Sequence, residues 1–508
     1  MPDARPPQRQ RLRQLGWLVA IAVAYLYIFP YFPRIQSANE LPRAYLVKAI
    51  ADDHTFAIDK GVATWGGTAD VSPSDGHMYS NKAPGSSLVV VPFYWAVSKI
   101  AGPPSLATTV WMCRVFGGVI PALLFLWLLW GFLAQYAPDP NVRRLVLIAY
   151  ALGSMAMTYA LLYYSHQLSA VCIGSAWILG LDVANGRRRV AWMAAVGFLA
   201  GASVLVDYQA AFAGVPLLVY LIVRMWQRDA SQILPALGIA AATAAIPIAL
   251  LLAYHDVCFG GPLRTGYDAS TTFAHFHKQG FLGISKLRGE AFWGSLVKAD
   301  NGLLVLSPWL LIAIPGGIYL WRRGERGHVL AVIAIVVIYV AFISSIAMWR
   351  GGWGVGPRYI TVMLPFLLPL VATALEKWRT QDLLFGAVSG TIVAAVAIYS
   401  LSSVTFPYWP DSLKNPLYEV TFRLLHDNAV APNLGSALGI RGVAGIVPYL
   451  LCVFGLLAYT LYRAGNVRVL AVAAAVGLAI LVAFRFAPLT GPHADVAYKN
   501  TVFPAVTK

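Results

Sequence analysis

The sequence predicts an all-α, polytopic integral membrane protein with about thirteen transmembrane helices. Of its 508 residues 58% are apolar, or about 67% when the 44 glycines are included, against roughly 45–50% for soluble domains. Only 12% are charged, and the mean hydropathy is +0.65. Apolar stretches also recur from one end of the chain to the other. Together these observations exclude a soluble globular protein, a disordered chain and a protein with a single membrane anchor.

The predicted spans are apolar windows of about 17–25 residues, the length that crosses about 30 Å of hydrocarbon. Four arginines precede the first window, and no small-residue cleavage site follows it, so we expect an uncleaved first helix rather than a signal peptide. The windows lie at 15–32, 107–134, 145–165, 167–184, 191–208, 210–225, 234–254, 302–321, 329–348, 359–375, 383–404, 443–462 and 469–487.

The formal net charge of +16 raises the question of nucleic-acid binding, but the positions of the cations favour membrane orientation. The first 14 residues and six short loops carry 18 of the 38 Lys and Arg residues, and the predicted spans place all of them on one side. Basic loops are retained in the cytoplasm, so we predict a cytoplasmic N-terminus and no nucleic-acid partner. The loop cations are Arg143, Arg144, Arg187, Arg188, Arg189, Arg224, Arg228, Arg322, Arg323, Arg326, Lys377, Arg379, Arg463 and Arg468.

Three segments on the opposite side are too long to be simple turns, and we expect any chemistry there. The first of them includes an apolar stretch, Ser86 to Ile100, with the length of a re-entrant or interfacial helix. The predicted organisation is a cytoplasmic N-terminus (1–14), a first transmembrane helix (15–32), a long helical extracytoplasmic loop (33–106), a transmembrane core (107–254), a second outer loop (256–301), a further core (302–404) with an outer loop at 349–359, a third outer loop (405–442), C-terminal helices (443–487) and an extracytoplasmic tail (488–508).

The first outer loop concentrates ionisable residues beside the membrane, which suits acid–base chemistry on a partly membrane-embedded substrate. It contains six acids and four basic or histidine residues: Glu40, Asp52, Asp53, Asp59, Asp70, Asp75, Arg43, His54, His77 and Lys82. The alternative is a solvated loop without a catalytic role. The four cysteines lie far apart without a CxxC pair and indicate core positions rather than a metal site or disulfide framework.

Four motifs, in order, carry a resemblance to a known family. The basic start and first helix are followed by an acid and an Arg three residues later (Glu40 and Arg43), and the loop closes with an aromatic-x-x-Lys-x-Pro element, YSNKAPG. The later strings are YYSHQ, FGGPLRTGY and WRGGWGVGPRYITVMLPF. The sequence resembles the C-type (GT-C) membrane glycosyltransferase superfamily, in particular its bacterial branch related to protein O-mannosyltransferases and lipid A aminoarabinose transferases.

The resemblance implies an enzyme that moves a sugar from a polyprenyl-phosphate donor to an acceptor hydroxyl, with inversion at the anomeric carbon. By position, Glu40 is the first candidate for the general base, Asp70 the second and Asp59 the third. Lys82 and Arg358 are expected to bind the donor phosphate, with Arg43 and Arg114 as further candidates. Arg114 lies inside the second span, where it is either a partner for a loop acid or a phosphate ligand. Expected substrate contacts are His77, Tyr79, His166, Arg264, Tyr267, Trp353 and Tyr359.

The sequence departs from the family pattern at two acids. Asn81 stands where relatives often carry an acid before the motif lysine, and Asn39 precedes Glu40, so the paired acid motif is reduced. Asp207 and Tyr208, at the outer end of a helix, fit either a structural hydrogen bond or a substrate contact. No metal-ligand spacing is present; His275 and His277 lack a third ligand, and a divalent metal is left open as a cofactor.

We therefore expect a glycosyltransferase, hexosyl or pentosyl, in the bacterial inner membrane with an extracytoplasmic active site. Its partners would be the polyprenyl-phosphate sugar, a glycan, lipid or protein acceptor, and the bilayer. A lipid-linked glycan ligase is the alternative among enzymes, and a secondary transporter or lipid flippase the alternative from another class. A transporter would be expected to carry ionisable residues at the membrane midplane in paired halves, whereas here they cluster in outer loops.

Overall fold

The computed structural model describes residues 8–34 and 37–507, with the side chains of residues 8–14 left out. The first half of the predicted basic N-terminus, and its Arg5, lie outside the described residues. Within them nine helices are long and apolar enough to cross a membrane, or ten if a bent pair is counted as one span. The all-α, multi-pass membrane class is confirmed, whereas the count of thirteen spans is not.

The predicted first outer loop is a compact helical and hairpin unit. It contains two helices, a short antiparallel hairpin in which Val71 pairs with Ser80, and a 17-residue apolar helix that coincides with the expected interfacial stretch. Helix α1 precedes this unit and ends at Tyr27, five residues before the predicted end. The elements are α1 (Gln8–Tyr27), α2 (Leu41–Asp53), α3 (Asp59–Trp65), β1 (Val71–Ser74), β2 (His77–Ser80) and α4 (Gly85–Ala101).

The next block of helices forms the first part of the membrane bundle. A single π-helical turn, Val115–Val119, joins α5 to α6, and α7 and α8 meet at a bend of 56° beside Gly153 and Ser154. The elements are α5 (Leu106–Arg114), α6 (Ile120–Phe132), α7 (Pro140–Leu152), α8 (Met155–Leu161), α9 (Ser165–Ala184), α10 (Met193–Val206), α11 (Ala211–Arg228) and α12 (Ile233–Phe259).

The remaining helices include one predicted span that is interrupted. The window 302–321 is split into α15, a 3-10 turn over Pro308–Ile312, and α16, because a proline inside a helix removes a backbone hydrogen bond and restricts the preceding residue. The elements are α13 (Ala274–His277), α14 (Gly289–Val297), α15 (Leu303–Leu306), α16 (Ala313–Arg322), α17 (Arg326–Ser345), α18 (Leu364–Trp378), α19 (Asp382–Thr405), α20 (Phe422–His426), α21 (Leu434–Ala437), α22 (Val447–Ala464), α23 (Val467–Ala483), α24 (Pro492–Ala497) and α25 (Phe503–Thr507).

The three long segments meet at one end of the bundle, here called the loop end. The Ser72 hydroxyl donates to the Gly266 carbonyl, joining the first segment to the second. The Tyr408 hydroxyl donates to Glu40 at 2.5 Å, joining the third to the first. The C-terminal segment also folds onto this end, where Arg423 pairs with Asp495. A cavity at the loop end can therefore be built from residues far apart in sequence.

The short basic loops share the opposite end, here called the basic end. Arg379 pairs with Asp139 at 2.8 Å, Arg224 donates to Asn185 at 2.6 Å, and Arg187 donates to Gln135 at 3.0 Å. These contacts tie neighbouring helix ends together through loops that the predicted topology assigns to the cytoplasm.

Candidate active site

A cavity of about 840 Å³ opens at the loop end, between the first outer unit and the ends of the central helices. One part of its wall is apolar and includes Phe276, Phe281, Ile284 and Ile346. The other part carries ionisable groups. Its charged and histidine side chains are Arg43, Asp70, Lys82, His166, Asp207, His277, Glu290, Arg350, Arg358 and Asp411.

The β1–β2 hairpin brings Asp70 and Lys82 together. Asp70 immediately precedes β1 and Lys82 follows β2 by two residues, so antiparallel pairing places them side by side. The Lys82 ammonium lies 2.9 Å from the Asp70 carboxylate, and the two side chains are only 9% and 7% exposed. Burial lowers the pKa of Lys82, with Arg43 and Arg358 acting in the same direction, and Asp70 opposes this change.

Close backbone packing fixes the position of this hairpin against the second outer segment. A Cβ atom on Gly266 would lie 2.5 Å from the Asn81 Cα, so only glycine allows the approach. Gly266 belongs to the FGGPLRTGY string, and its neighbour Tyr267 places its ring 5.5 Å from the Lys82 ammonium. The two motifs identified in the sequence therefore form one wall of the cavity.

Arg358 is a buried cation without a carboxylate partner among the described residues. It begins the 3-10 turn before α18, is 6% exposed, and its Nε has no hydrogen-bond partner. Its guanidinium lies 4.8 Å from the ring centre of Tyr164 and 5.5 Å from that of Tyr359. Burying an unpaired charge is costly, so this arrangement is suited to receive an anion.

Arg43 adds a second guanidinium to the same wall. It donates to the backbone carbonyl and the side chain of Asn39 and, at 2.9 Å, to the Ser165 hydroxyl, while its Nε has no partner. None of these partners carries a charge. Arg43 therefore also keeps a positive charge available to a ligand in the cavity.

His166 and Asp207 form a buried pair on the cavity wall. The His166 Nδ1 lies 2.7 Å from the Asp207 carboxylate, which also accepts hydrogen bonds from the Ser165 hydroxyl and the Gln209 amide, both at 3.0 Å. The His166 Nε2 is buried and has no hydrogen-bond partner. Asp207 follows α10 and His166 lies in the first turn of α9, and the packing of these two helices brings the groups together.

Glu40 lies behind the cavity wall rather than on it. Its carboxylate accepts two hydrogen bonds from Arg114, at 2.8 and 2.9 Å, one from the Tyr408 hydroxyl at 2.5 Å and one from the Tyr163 backbone at 2.6 Å. The side chain is 1% exposed. Burial alone would raise the Glu40 pKa, but Arg114 and the other donors outweigh it and hold the pKa below its usual value. Of the two roles considered for Arg114, its contacts match that of a partner for a loop acid.

Some of the other sequence-predicted residues line the cavity and others lie outside it. Tyr267, Trp353 and Tyr359 line the cavity with Arg358. Asp59 and His77 contact each other at 3.2 Å outside it, with side chains 40% and 59% exposed. Tyr79 packs against Phe259, and neither it nor the exposed Arg264 belongs to the cavity lining.

Several cavity residues were not among the predicted site residues. Asp207 was identified from its position at a helix end, but the sequence did not connect it with His166. Tyr164, Asn39, Gln209 and Tyr408 also line the cavity. Tyr164 belongs to the YYSHQ string, so the motif carried a signal, whereas nothing in the sequence distinguished Tyr408 from other loop aromatics.

The described part of the chain contains no group of three or more His, Cys, Asp or Glu side chains arranged to hold a metal ion. The motif positions Asn39 and Asn81 are neutral amides, and the nearby Asp70 is paired with Lys82. The chemistry below is derived from the protein's own groups.

Comparison with solved structures identifies the fold. The chain aligns over 98% of its length, and over 79% of the neighbour's, with ArnT from Cupriavidus metallidurans bound to undecaprenyl phosphate, at 14% identity and a TM-score of 0.55. The apo form of that protein aligns with a TM-score of 0.49 at 15% identity, covering 98% of this chain and 78% of the neighbour. The oligosaccharyltransferase of Archaeoglobus fulgidus aligns with a TM-score of 0.44 at 13% identity, and the alignment covers 93% of this chain and 57% of that protein.

No protein-family model matches the sequence, and comparison with curated proteins finds no significant match. The structural alignment with ArnT nevertheless extends over almost the whole of this chain, and ArnT belongs to the group that the sequence motifs resemble. The chain therefore has the fold of the C-type (GT-C) membrane glycosyltransferases.

Proposed function

We propose that the protein is a glycosyltransferase that transfers a sugar from a polyprenyl-phosphate donor to an acceptor hydroxyl, with inversion. The observation that carries the proposal is the buried, carboxylate-free Arg358 on a cavity wall that also holds Lys82 and Arg43. ArnT, which shares the fold, was crystallised with undecaprenyl phosphate, a lipid of the same chemical class as the proposed leaving group.

The three cations would bind the donor phosphate and stabilise it as it leaves. Arg358 offers a planar fork that matches phosphate oxygens, and Lys82 offers a compact point charge. As the bond between the anomeric carbon and the phosphate oxygen breaks, negative charge develops on that oxygen, and prepositioned cations lower the barrier by stabilising it. Tyr267, Trp353 and Tyr359 would pack against the sugar, and the apolar part of the wall would contact the first prenyl units.

The reaction also needs a group that accepts the proton of the acceptor hydroxyl. Of the three loop carboxylates considered from the sequence, Asp70 alone lines the cavity. Glu40 has both oxygens bonded to neighbouring groups, and Asp59 lies outside the cavity. We therefore propose that Glu40 positions Arg114 and Tyr408. Among the three loop carboxylates, Asp70 then remains as the candidate for the general base.

The proposed location is the bacterial inner membrane, with the basic end in the cytoplasm and the cavity on the extracytoplasmic side. This orientation rests on the positive-inside rule, because the basic loops are gathered at the end opposite the cavity. The acceptor is proposed as a glycan, lipid or protein hydroxyl, and the transferred group as a hexose or pentose.

Native mass spectrometry of the detergent-purified protein tests the proposal directly. The protein is offered a panel of short-chain polyprenyl-phosphate sugars, together with Lys82→Ala and Arg358→Ala. Retention of one donor by the wild type, with loss from both variants, would support the donor class and narrow the sugar. Arg322→Ala, on the basic end, is the matched control for loss of a cation and should bind like the wild type. Equal binding by all four proteins, or by none, would contradict the proposal and favour a transporter or lipid-linked ligase.

A further inference from the structure

Several groups that line the cavity could accept a proton, among them the exposed carboxylates of Glu290 and Asp411 and the half-buried His277, so the choice depends on which group the structure holds in position. The motif positions Asn39 and Asn81 are amides, and Glu40 is saturated by four donors. Asp70 lies 2.9 Å from Lys82. The Asp70 carboxylate is therefore committed to an ion pair with a proposed phosphate-binding cation, whereas a general base needs a lone pair that is free to take up the proton.

His166 supplies a proton acceptor whose tautomer is fixed by its neighbours. The His166 Nδ1 lies 2.7 Å from the Asp207 carboxylate and 2.9 Å from the Gln209 amide nitrogen, and that amide also donates to the same Asp207 oxygen. Because a carboxylate can only accept a hydrogen bond, we place the proton of the neutral ring on Nδ1, where it bonds Asp207. In the neutral ring the lone pair is then on Nε2, at the other side of the imidazole. Nε2 is buried without a hydrogen-bond partner, and the ring forms part of the cavity wall.

Asp207 is held in place for this task by several neighbours. The Ser165 hydroxyl and the Gln209 amide both donate to the same carboxylate oxygen, and Arg43 donates to Ser165 at 2.9 Å. The network runs from the predicted phosphate-binding wall to His166 through hydrogen bonds. A fixed carboxylate beside Nδ1 also stabilises the imidazolium that forms when Nε2 takes up a proton.

We propose that the His166–Asp207 pair, rather than a loop carboxylate, is the general base of this enzyme. This inference rests on the proposed glycosyl transfer. The acceptor oxygen forms a bond to the anomeric carbon as the bond from that carbon to the phosphate oxygen breaks. The bonding electron pair leaves with the polyprenyl phosphate, the hydroxyl proton passes to the His166 Nε2, and Asp207 remains an ionised positioning residue.

The pH dependence of turnover should report this histidine. The charged and titratable groups around it are Asp207 after α10, Arg43 from α2, Arg358 before α18, and the tyrosines Tyr159, Tyr164 and Tyr359. Turnover falls as the pH drops through the His166 pKa, because the protonated ring cannot accept the acceptor's proton. A His166 variant that retains some activity should no longer show this fall in turnover at acidic pH, which is the acidic limb of the pH–rate profile.

The experiment compares His166→Gln, Asp207→Asn and Asp70→Asn for donor binding and for turnover at saturating donor. His328→Gln is the matched control, because His328 is equally buried but contacts Tyr136 at the basic end. We expect His166→Gln to bind donor like the wild type and to lose roughly 10²–10⁴-fold in kcat. Asp207→Asn should lower kcat with little change in KM and alter the acidic limb. His166→Gly should regain turnover when imidazole is added.

Two results would overturn the assignment. One is a His166→Gln variant that keeps more than a tenth of wild-type turnover with an unchanged pH profile. The other is a His166→Gly variant that binds donor but is not rescued by imidazole, while Asp70→Asn is inactive, which would return the role to the loop carboxylate. Absence of donor binding and transfer in the wild type is a different outcome, since it refutes the proposed function itself and the inference with it.

Discussion

The buried ion pair between Glu40 and Arg114 allows a direct test of whether Glu40 stabilises the fold or acts as the general base. Glu40→Gln removes the negative charge at nearly constant shape and leaves the Arg114 guanidinium buried opposite a neutral amide. Gln offers a single acceptor oxygen where the carboxylate accepts four hydrogen bonds, and its NH₂ group faces donors.

The expected magnitude follows from the burial of both partners. Breaking a buried pair by removing one member costs about 3–5 kcal/mol, which lowers the ratio of folded to unfolded protein by roughly two to four powers of ten. The double variant Glu40→Gln/Arg114→Met should recover most of this loss, because it removes the stranded cation as well. Arg322→Met on the basic end is the control for loss of an arginine elsewhere.

The assay is SDS titration of the detergent-purified protein, followed by intrinsic fluorescence, together with donor binding. A stabilising role for Glu40 predicts an early unfolding transition in the single variant and partial recovery in the double variant. The reasoning is refuted if Glu40→Gln unfolds like the wild type and binds donor but does not turn over. That result would instead establish Glu40 as the general base that its sequence position suggests.

Three further predictions concern pH, the phosphate site and the hairpin. The pKa of Glu40 is lower in the folded state than the ordinary glutamate value of 4.5. The ionised side chain therefore stabilises the fold fully above that value, and this contribution is lost as the pH falls through the folded-state pKa. Acid titration should show the loss in the wild type but not in Glu40→Gln. Lys82→Ala and Arg358→Ala should each weaken donor binding, and a double-mutant cycle without coupling would argue against a shared phosphate. Gly266→Ala should reduce donor affinity because its Cβ would displace Asn81 and the neighbouring Lys82. The control is Gly261→Ala, whose Cβ would meet the flexible Arg264 side chain, and this variant should bind donor like the wild type. Equal donor affinity of the two variants would contradict the role of the close contact at Gly266.

The class of protein and the segments that form the cavity could be predicted from the sequence. Hydropathy and loop charge are local properties, so they predicted the multi-pass helical class and separated the basic loops from the long ones, but not the number of spans. The motif residues Lys82, Arg358, Tyr267 and Tyr359 all line the cavity. The interruption at Pro308 was missed because an apolar window does not register a break in backbone hydrogen bonding.

The tertiary structure alone decided which ionisable groups are free to act. Glu40 meets Arg114 across 74 positions and Tyr408 across 368, and these partners engage both of its oxygens. His166 meets Asp207 across 41 positions, and its Nε2 is buried without a hydrogen-bond partner. The sequence can identify an acid or a histidine as a candidate catalytic residue. Whether that side chain is free to accept a proton depends on the charged groups and hydrogen-bond donors that helix packing places beside it. In a buried site these long-range contacts determine whether a group holds the structure together or can take part in the reaction.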